Sequence, residues 1–269
     1  MILLLKLVLV PALIALVTMA GRRFGPRIGG WLNALPVVAG PVLFFLALEQ
    51  GDAFVARAAL ATLAGLAAVA AFAVVYSWAA VRRPWWGCVL IGWAVFGVLT
   101  LALQAVAWTA GGGLALALGA FGLAPLVLPP MPEAPPPATA PAWDLPMRMA
   151  AAVILVLTVT GLAGWLGPRL SGALTPFPIA TTILLAFTHA QQGVPAAVGF
   201  LRAFLPAMWS FALFCAVLAW GVIGLGRDAA FLLALAASLV VQGLVWVGLA
   251  ARASRGSARR GPPPARRSA

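Results

Sequence analysis

Between Arg83 and Glu133 the chain carries not one charged side chain, and uncharged stretches of this kind dominate it. Mainly apolar runs cover residues 2–20, 31–48, 58–80, 85–106, 112–128, 149–166, 173–190, 197–224 and 229–251, each ended by charge, Gly or Pro. A helix rises about 1.5 Å per residue, so roughly 20 such residues cross a hydrocarbon core about 30 Å thick. Backbone within lipid must satisfy its own hydrogen bonds, which makes helices the spanning element for runs of this length. The sequence therefore predicts an all-α polytopic membrane protein with about nine transmembrane helices. With 64% hydrophobic and 8% charged residues among 269, the chain has too little polar surface for a water-soluble domain.

Glycine and proline punctuate these runs. Residues 85–128 would measure about 66 Å as one helix, and Gly111, Gly112 and Gly113 divide them into two. Residues 129–147 hold prolines from Pro129 to Pro146 and are expected to form an extended, solvated linker. Residues 252–269 hold six arginines with Gly and Pro, the composition of a disordered tail near a lipid surface. Thr18, Met19 and Ala20 resemble a signal-peptide cleavage site, but Arg22, Arg23 and Arg27 follow the apolar run where a signal peptide places its charge before it. The first run is expected to remain part of the fold.

An internal repeat supports that expectation. At an offset of 142 residues, ten of the 27 positions from 25 to 51 are identical, among them Gly25, Pro26, Arg27, Pro36, Gln50 and Gly51 with Gly167, Pro168, Arg169, Pro178, Gln192 and Gly193. Lys6 falls on Arg148 and Trp78 on Trp220. The predicted organisation is a first four-helix repeat (1–110), a spacer transmembrane helix (111–128), the Pro-rich linker (129–147), a second four-helix repeat (148–251) and the tail (252–269). Five crossings then separate equivalent helices, so the repeats are expected to be inverted. Arginine distribution predicts the N-terminus outside and the C-terminus cytoplasmic, because the loops with Arg22, Arg82, Arg148 and the tail then share the cytoplasmic side.

Proline within a membrane helix removes a backbone hydrogen bond and leaves carbonyls free to face a cavity. Pro36 and Pro41, with Pro176 and Pro178, place such breaks in matching helices and mark a candidate substrate pathway; prolines that merely kink helices for packing fit the same pattern. Glu49, Gln50, His189, Gln191 and Gln192 occupy equivalent helix ends, where a Glu and a His suit proton transfer and where interfacial polar residues are equally at home. Arg27 and Arg169, in the Gly-Pro-Arg turns, suit an anion or a lipid headgroup, or anchor the turn at the headgroups. Trp78, Trp85, Trp86, Trp108, Trp165 and Trp220 lie near predicted helix ends, as an aromatic belt requires.

Several function classes are disfavoured. The net charge of +12 sits in short arginine clusters and a tail, which fits membrane orientation and gives no basic face for nucleic acid. Cys88 and Cys215 each lie within an apolar run, so neither a disulfide framework nor a thiolate metal site is indicated. There is no HExxH, GxSxG or Walker loop, and one His with five acids builds no conventional metal site. No catalytic residue, metal or cofactor is expected, and the chain is not expected to be an enzyme. Lysine occurs once among 17 basic residues, a bias typical of GC-rich bacterial genomes.

In the second repeat, Leu170 to Pro178 (LSGALTPFP), His189 to Gly193 (HAQQG) and Met208-Trp209-Ser210 resemble the small bacterial GlpM-type membrane proteins, which are about one such repeat long. The first repeat is similar more loosely, with Leu35-Pro36 at Phe177-Pro178 and Glu49 at Gln191. The resemblance implies a bacterial inner-membrane location and a fused tandem of a unit that elsewhere stands alone. Inverted repeats with matched prolines point to a secondary transporter or permease acting on a small-molecule substrate among membrane lipids; the alternative is a non-transporting scaffold or accessory protein of a cell-envelope pathway.

Overall fold

The structure is a computed structural model and describes residues 2–132, 141–158 and 177–259. Among these residues every regular element is helical. They are α1 (Ile2–Phe24), α2 (Pro26–Asn33), α3 (Ala39–Gln50), α4 (Asp52–Ala80), α5 (Trp85–Gln104) and α6 (Ala110–Leu123), the last prolonged by a 3-10 turn at Ala124–Leu126. After the linker come α7 (144–158), α8 (Ile179–Gln192), α9 (Val194–Leu225) and α10 (Arg227–Arg259). Among the described residues five helical stretches are long and apolar enough to cross a membrane: Leu3–Phe24, Asp52–Ala80, Trp85–Gln104, Val194–Leu225 and Arg227–Ala251.

Their outer faces are apolar too. Leu4, Leu232 and Leu244 are 69%, 69% and 67% exposed, an arrangement that water would penalise and lipid tails accept. The fold is that of a multi-pass membrane protein. At its centre α4 packs on α5, α6 and α9, while α9 also packs on α2 and α10. Phe72, Tyr76, Phe96, Phe204 and Phe214 are buried completely or nearly so in this interior. Small residues permit the close approaches: a Cβ on Gly30 would collide with the Phe200 carbonyl oxygen, and one on Gly92 would lie 2.7 Å from the Phe72 ring.

The structure departs from the expected helix list in ways that chain chemistry explains. The run 31–48 is two helices, because Pro36 has no N–H to donate to the Leu32 carbonyl. Leu35 N donates to Leu32 O instead (3.2 Å), and α3 restarts with Gly40 N donating to Pro36 O (2.8 Å). The first unit is thus five helical segments, with the end of α2 and all of α3 lying within one expected crossing. The run 112–128 is a 14-residue helix with its short 3-10 extension. Helix α7 starts at Asp144, so Asp144 to Met147 belong to a helix and not to an extended linker. Pro146 is tolerated there because a first-turn N–H has no intrahelical acceptor to lose.

Residues 133–140 of the linker, 159–176 and 260–269 of the tail lie outside the described residues. Residues 252–259, expected to be disordered, continue α10. At the positions 142 apart where the repeat pairs Gly51 with Gly193, both glycines have positive φ (86° and 82°). Each ends its helix by donating its N–H to a carbonyl, Gly51 to Ala47 and Gly193 to His189, in a conformation that glycine adopts without strain.

Candidate functional site

The break between α2 and α3 leaves helix-end groups inside the bundle, and side chains from distant helices answer them. Gln242 of α10 donates through Nε2 to the Trp31 carbonyl (2.6 Å), while Trp31 Nε1 donates to the Gln242 carbonyl (3.1 Å). Ser210 of α9 donates to Gln242 Oε1 (2.7 Å). Gln242 is 2% exposed, and at the end of α2 it shares the Trp31 carbonyl with the Ala34 N–H (3.4 Å). The next residue of interest, Asn33, ends α2, is buried, and donates through Nδ2 to Thr181 Oγ1 of α8 (2.8 Å). Its Oδ1 is buried without a hydrogen-bond partner.

The start of α8 completes this polar and aromatic cluster. Thr182 Oγ1 accepts from Trp93 Nε1 of α5 (3.2 Å), and Phe177 lies 5.3 Å from Trp93 and 5.4 Å from Phe96, centroid to centroid. Pro178 is the residue immediately before α8. On the other side of the break, Pro36, Pro41, Phe44, Phe45, Phe231 and Leu235 line an apolar groove of about 650 Å³ between the α2–α3 segment and α10. Pro36 and Pro41 therefore line this groove, whereas Asn33 contacts α8.

A second constellation gathers helix ends around Asp144. This carboxylate is 0% exposed and accepts from Arg22 Nη2 (2.6 Å), from Arg148 Nε at both oxygens (2.9 Å each) and from Gln191 Nε2. Burial pushes its carboxyl up, but the hydrogen bonds from Arg22 and Arg148, the Arg148 charge and the Gln191 bond outweigh that and hold it below the usual carboxylate range. Arg148 is itself buried, with its guanidinium 4.9 Å from the Phe187 ring centre. A pocket of about 90 Å³ adjoins the cluster and is lined by Thr18, Arg22, Pro26, Asp144, Arg148 and Gln192 among others.

The residues singled out from the sequence fall in several places. Gln191 and Gln192 line the Asp144 pocket, and Pro36 and Pro41 line the apolar groove. Glu49 and Gln50 are exposed at the end of α3. His189 is buried near the end of α8, its Nδ1 3.2 Å from the Tyr76 hydroxyl, and no hydrogen bond among the described residues joins it to Glu49. Arg27 lies in the first turn of α2. Pro176 and Arg169 lie outside the described residues, as does Trp165. Trp78, Trp85, Trp86 and Trp220 are all largely exposed, and Trp78 Nε1 donates to the Val127 carbonyl (2.7 Å).

Asn33, Thr181, Thr182, Tyr76, Gln242 and Asp144 were not singled out from the sequence. For Asp144 a signal existed: it stands four residues before Arg148, an ion-pair spacing on a helix, in a chain with five acids. Tyr76 and His189 are each the single residue of their kind. No protein-family model, curated protein or solved structure matches the chain.

Proposed function

We propose that the chain is a secondary transporter or permease of a bacterial inner membrane, built from two inverted helical units with a spacer helix between them. The observation that carries this reading is the interrupted α2–α3 segment, whose end presents the buried Asn33 amide to the start of α8. Interrupted helices facing each other across a repeat interface are the usual construction of a transport site, because unwound backbone and helix ends supply polar groups without burying charge. The Asn33 Oδ1 is a buried acceptor without a hydrogen-bond partner among the described residues, a polar group placed at the helix break without burying charge. The neighbouring groove is apolar apart from Asp228 and shares the lipid-facing Leu232, which suits a substrate that enters with an apolar portion from the bilayer.

In this reading the nine crossings, the N-terminus outside and the cytoplasmic C-terminus follow from the repeat and the arginine distribution. Kinship with GlpM-type proteins, as a fused tandem of their unit, belongs to the same proposal. Arg22, Asp144 and Gln191 come from three segments that the arginine distribution assigns to one side, and their contact supports that sidedness.

The test is flux in proteoliposomes across panels of neutral metabolites, lipophilic cations and fluorescent lipids, with and without a proton gradient. Protein-dependent flux that falls at least tenfold in Asn33→Ala and Pro36→Ala is expected. Absence of flux for every class, with Asn33→Ala still folded, would favour the scaffold reading, in which deletion of residues 252–269 abolishes capture of a partner.

A further inference from the structure

We infer that the pocket enclosed by α1, α2, α7 and α8 binds one oxyanion, a phosphate or carboxylate group, on Arg22 and Thr18. Charge sets the sign of the ligand. Arg22 and Arg148 face a single carboxylate, and both Asp144 oxygens already accept hydrogen bonds from these arginines and from Gln191. A cation entering the pocket would meet a carboxylate already engaged and two guanidinium groups. An anion would meet one unbalanced positive charge.

Two of the residues that line the pocket carry a donor without a hydrogen-bond partner. Arg22 Nε is buried without a hydrogen-bond partner, on a residue whose Nη2 holds Asp144. Thr18 is 5% exposed, lines the pocket, and its Oγ1 is also buried without a partner. A threonine within a helix ordinarily donates to the carbonyl four residues earlier, as Thr62 does to Ala58 (2.9 Å) and Thr158 to Ile154 (2.8 Å). Thr18 does not, nor does Thr100 of α5, but of these two only Thr18 lines this pocket. Pro26 brings the N-terminal end of α2 to the pocket wall, and the partial positive charge of that end adds to the attraction.

The space fits this ligand. A volume of about 90 Å³ beside these residues is enough for one tetrahedral or planar oxyanion group. The group arrives either as a free anion or as the headgroup of an anionic lipid, since Arg22 remains about a third exposed (31%). This inference holds whether or not the chain transports anything.

The experiment uses the full chain in nanodiscs, with thermal unfolding followed by tryptophan fluorescence. In neutral phosphatidylcholine discs, inorganic phosphate and acetate are titrated at constant ionic strength against chloride; in parallel, phosphatidylglycerol replaces part of the neutral lipid. A Tm that rises with phosphate or acetate but not with chloride identifies a soluble anion. A rise with phosphatidylglycerol alone identifies a headgroup. Thr18→Val removes an unpaired buried hydroxyl, so its ligand-free Tm should hold or rise, while its anion response weakens about tenfold or more. Arg22→Lys keeps the charge opposite Asp144 but loses Nε, and its response should weaken similarly. No rise with either source, or variants that respond as the parent does, would overturn the inference.

Discussion

The single tyrosine and the single histidine of the chain meet in its interior: the Tyr76 hydroxyl lies 3.2 Å from His189 Nδ1, with the rings 5.9 Å apart and inclined by 70°. They belong to α4 and α8, 113 residues apart in sequence. Tyr76 is 0% exposed and His189 9%, so water is not on hand to replace either partner. With the phenol donating, the imidazole proton resides on Nε2.

Tyr76→Phe should destabilise the protein by about 1–3 kcal/mol, because it leaves a buried imidazole nitrogen unsatisfied. His189→Leu should cost a similar amount. The double variant should cost less than the sum, since removing both polar partners removes the unsatisfied group as well. Denaturant unfolding in micelles measures all three; strict additivity would mean that the hydrogen bond is not formed.

Asp144→Ala should be the most damaging of the polar substitutions, at about 3–5 kcal/mol, because it leaves Arg22 and Arg148 facing each other without their carboxylate. The pH dependence follows from the depressed carboxyl. Its stabilisation is fully present above the ordinary aspartate value of about 3.9 and is lost as pH falls through the lower folded value. Unfolding free energy should therefore be insensitive to this group from about pH 5 to pH 8 and should drop in acid. A neutral-range dependence that vanishes in Asp144→Asn would contradict this assignment.

Gly30→Ala should separate α2 from α9, since its methyl would collide with the Phe200 carbonyl oxygen, a backbone atom unable to turn aside. A loss of at least about 1–3 kcal/mol is expected. Gly97→Ala on α5, where a Cβ would meet nothing within 4 Å, is the control and should leave Tm unchanged or raise it slightly.

Reporters fused after Gly51, Arg83, Gly111, Ala140 and Ala269 test the sidedness. Arg83, Ala140 and Ala269 should report cytoplasmic, and Gly51 and Gly111 external. A linker found outside with a cytoplasmic tail would end the inverted-repeat proposal while leaving the Asp144 cluster intact.

Local chemistry was legible along the chain. Apolar run length marks the membrane, Pro36 marks the place where one helix becomes two, and Gly51 and Gly193 mark the helix ends they cap. Each of these depends on a few neighbouring residues and on backbone geometry that those residues alone dictate. Even Asp144 with Arg148 is a local pair. What the sequence did not show is the partner at the end of α2, where the Trp31 carbonyl also accepts from the side chain of Gln242, 211 residues away.

Tertiary structure alone decided which helices meet. Arg22 reaches Asp144 across 122 residues, Gln191 across 47, and Asn33 finds Thr181 across 148. In lipid, apolar faces do not distinguish one neighbour from another, so periodicity carries little information about partners; close-packed small residues and a few buried polar groups do the choosing. The sequence by itself determined that this chain is built of apolar runs of membrane-crossing length and that Pro36 interrupts one of them. The packing decided that its scarce polar residues find one another inside.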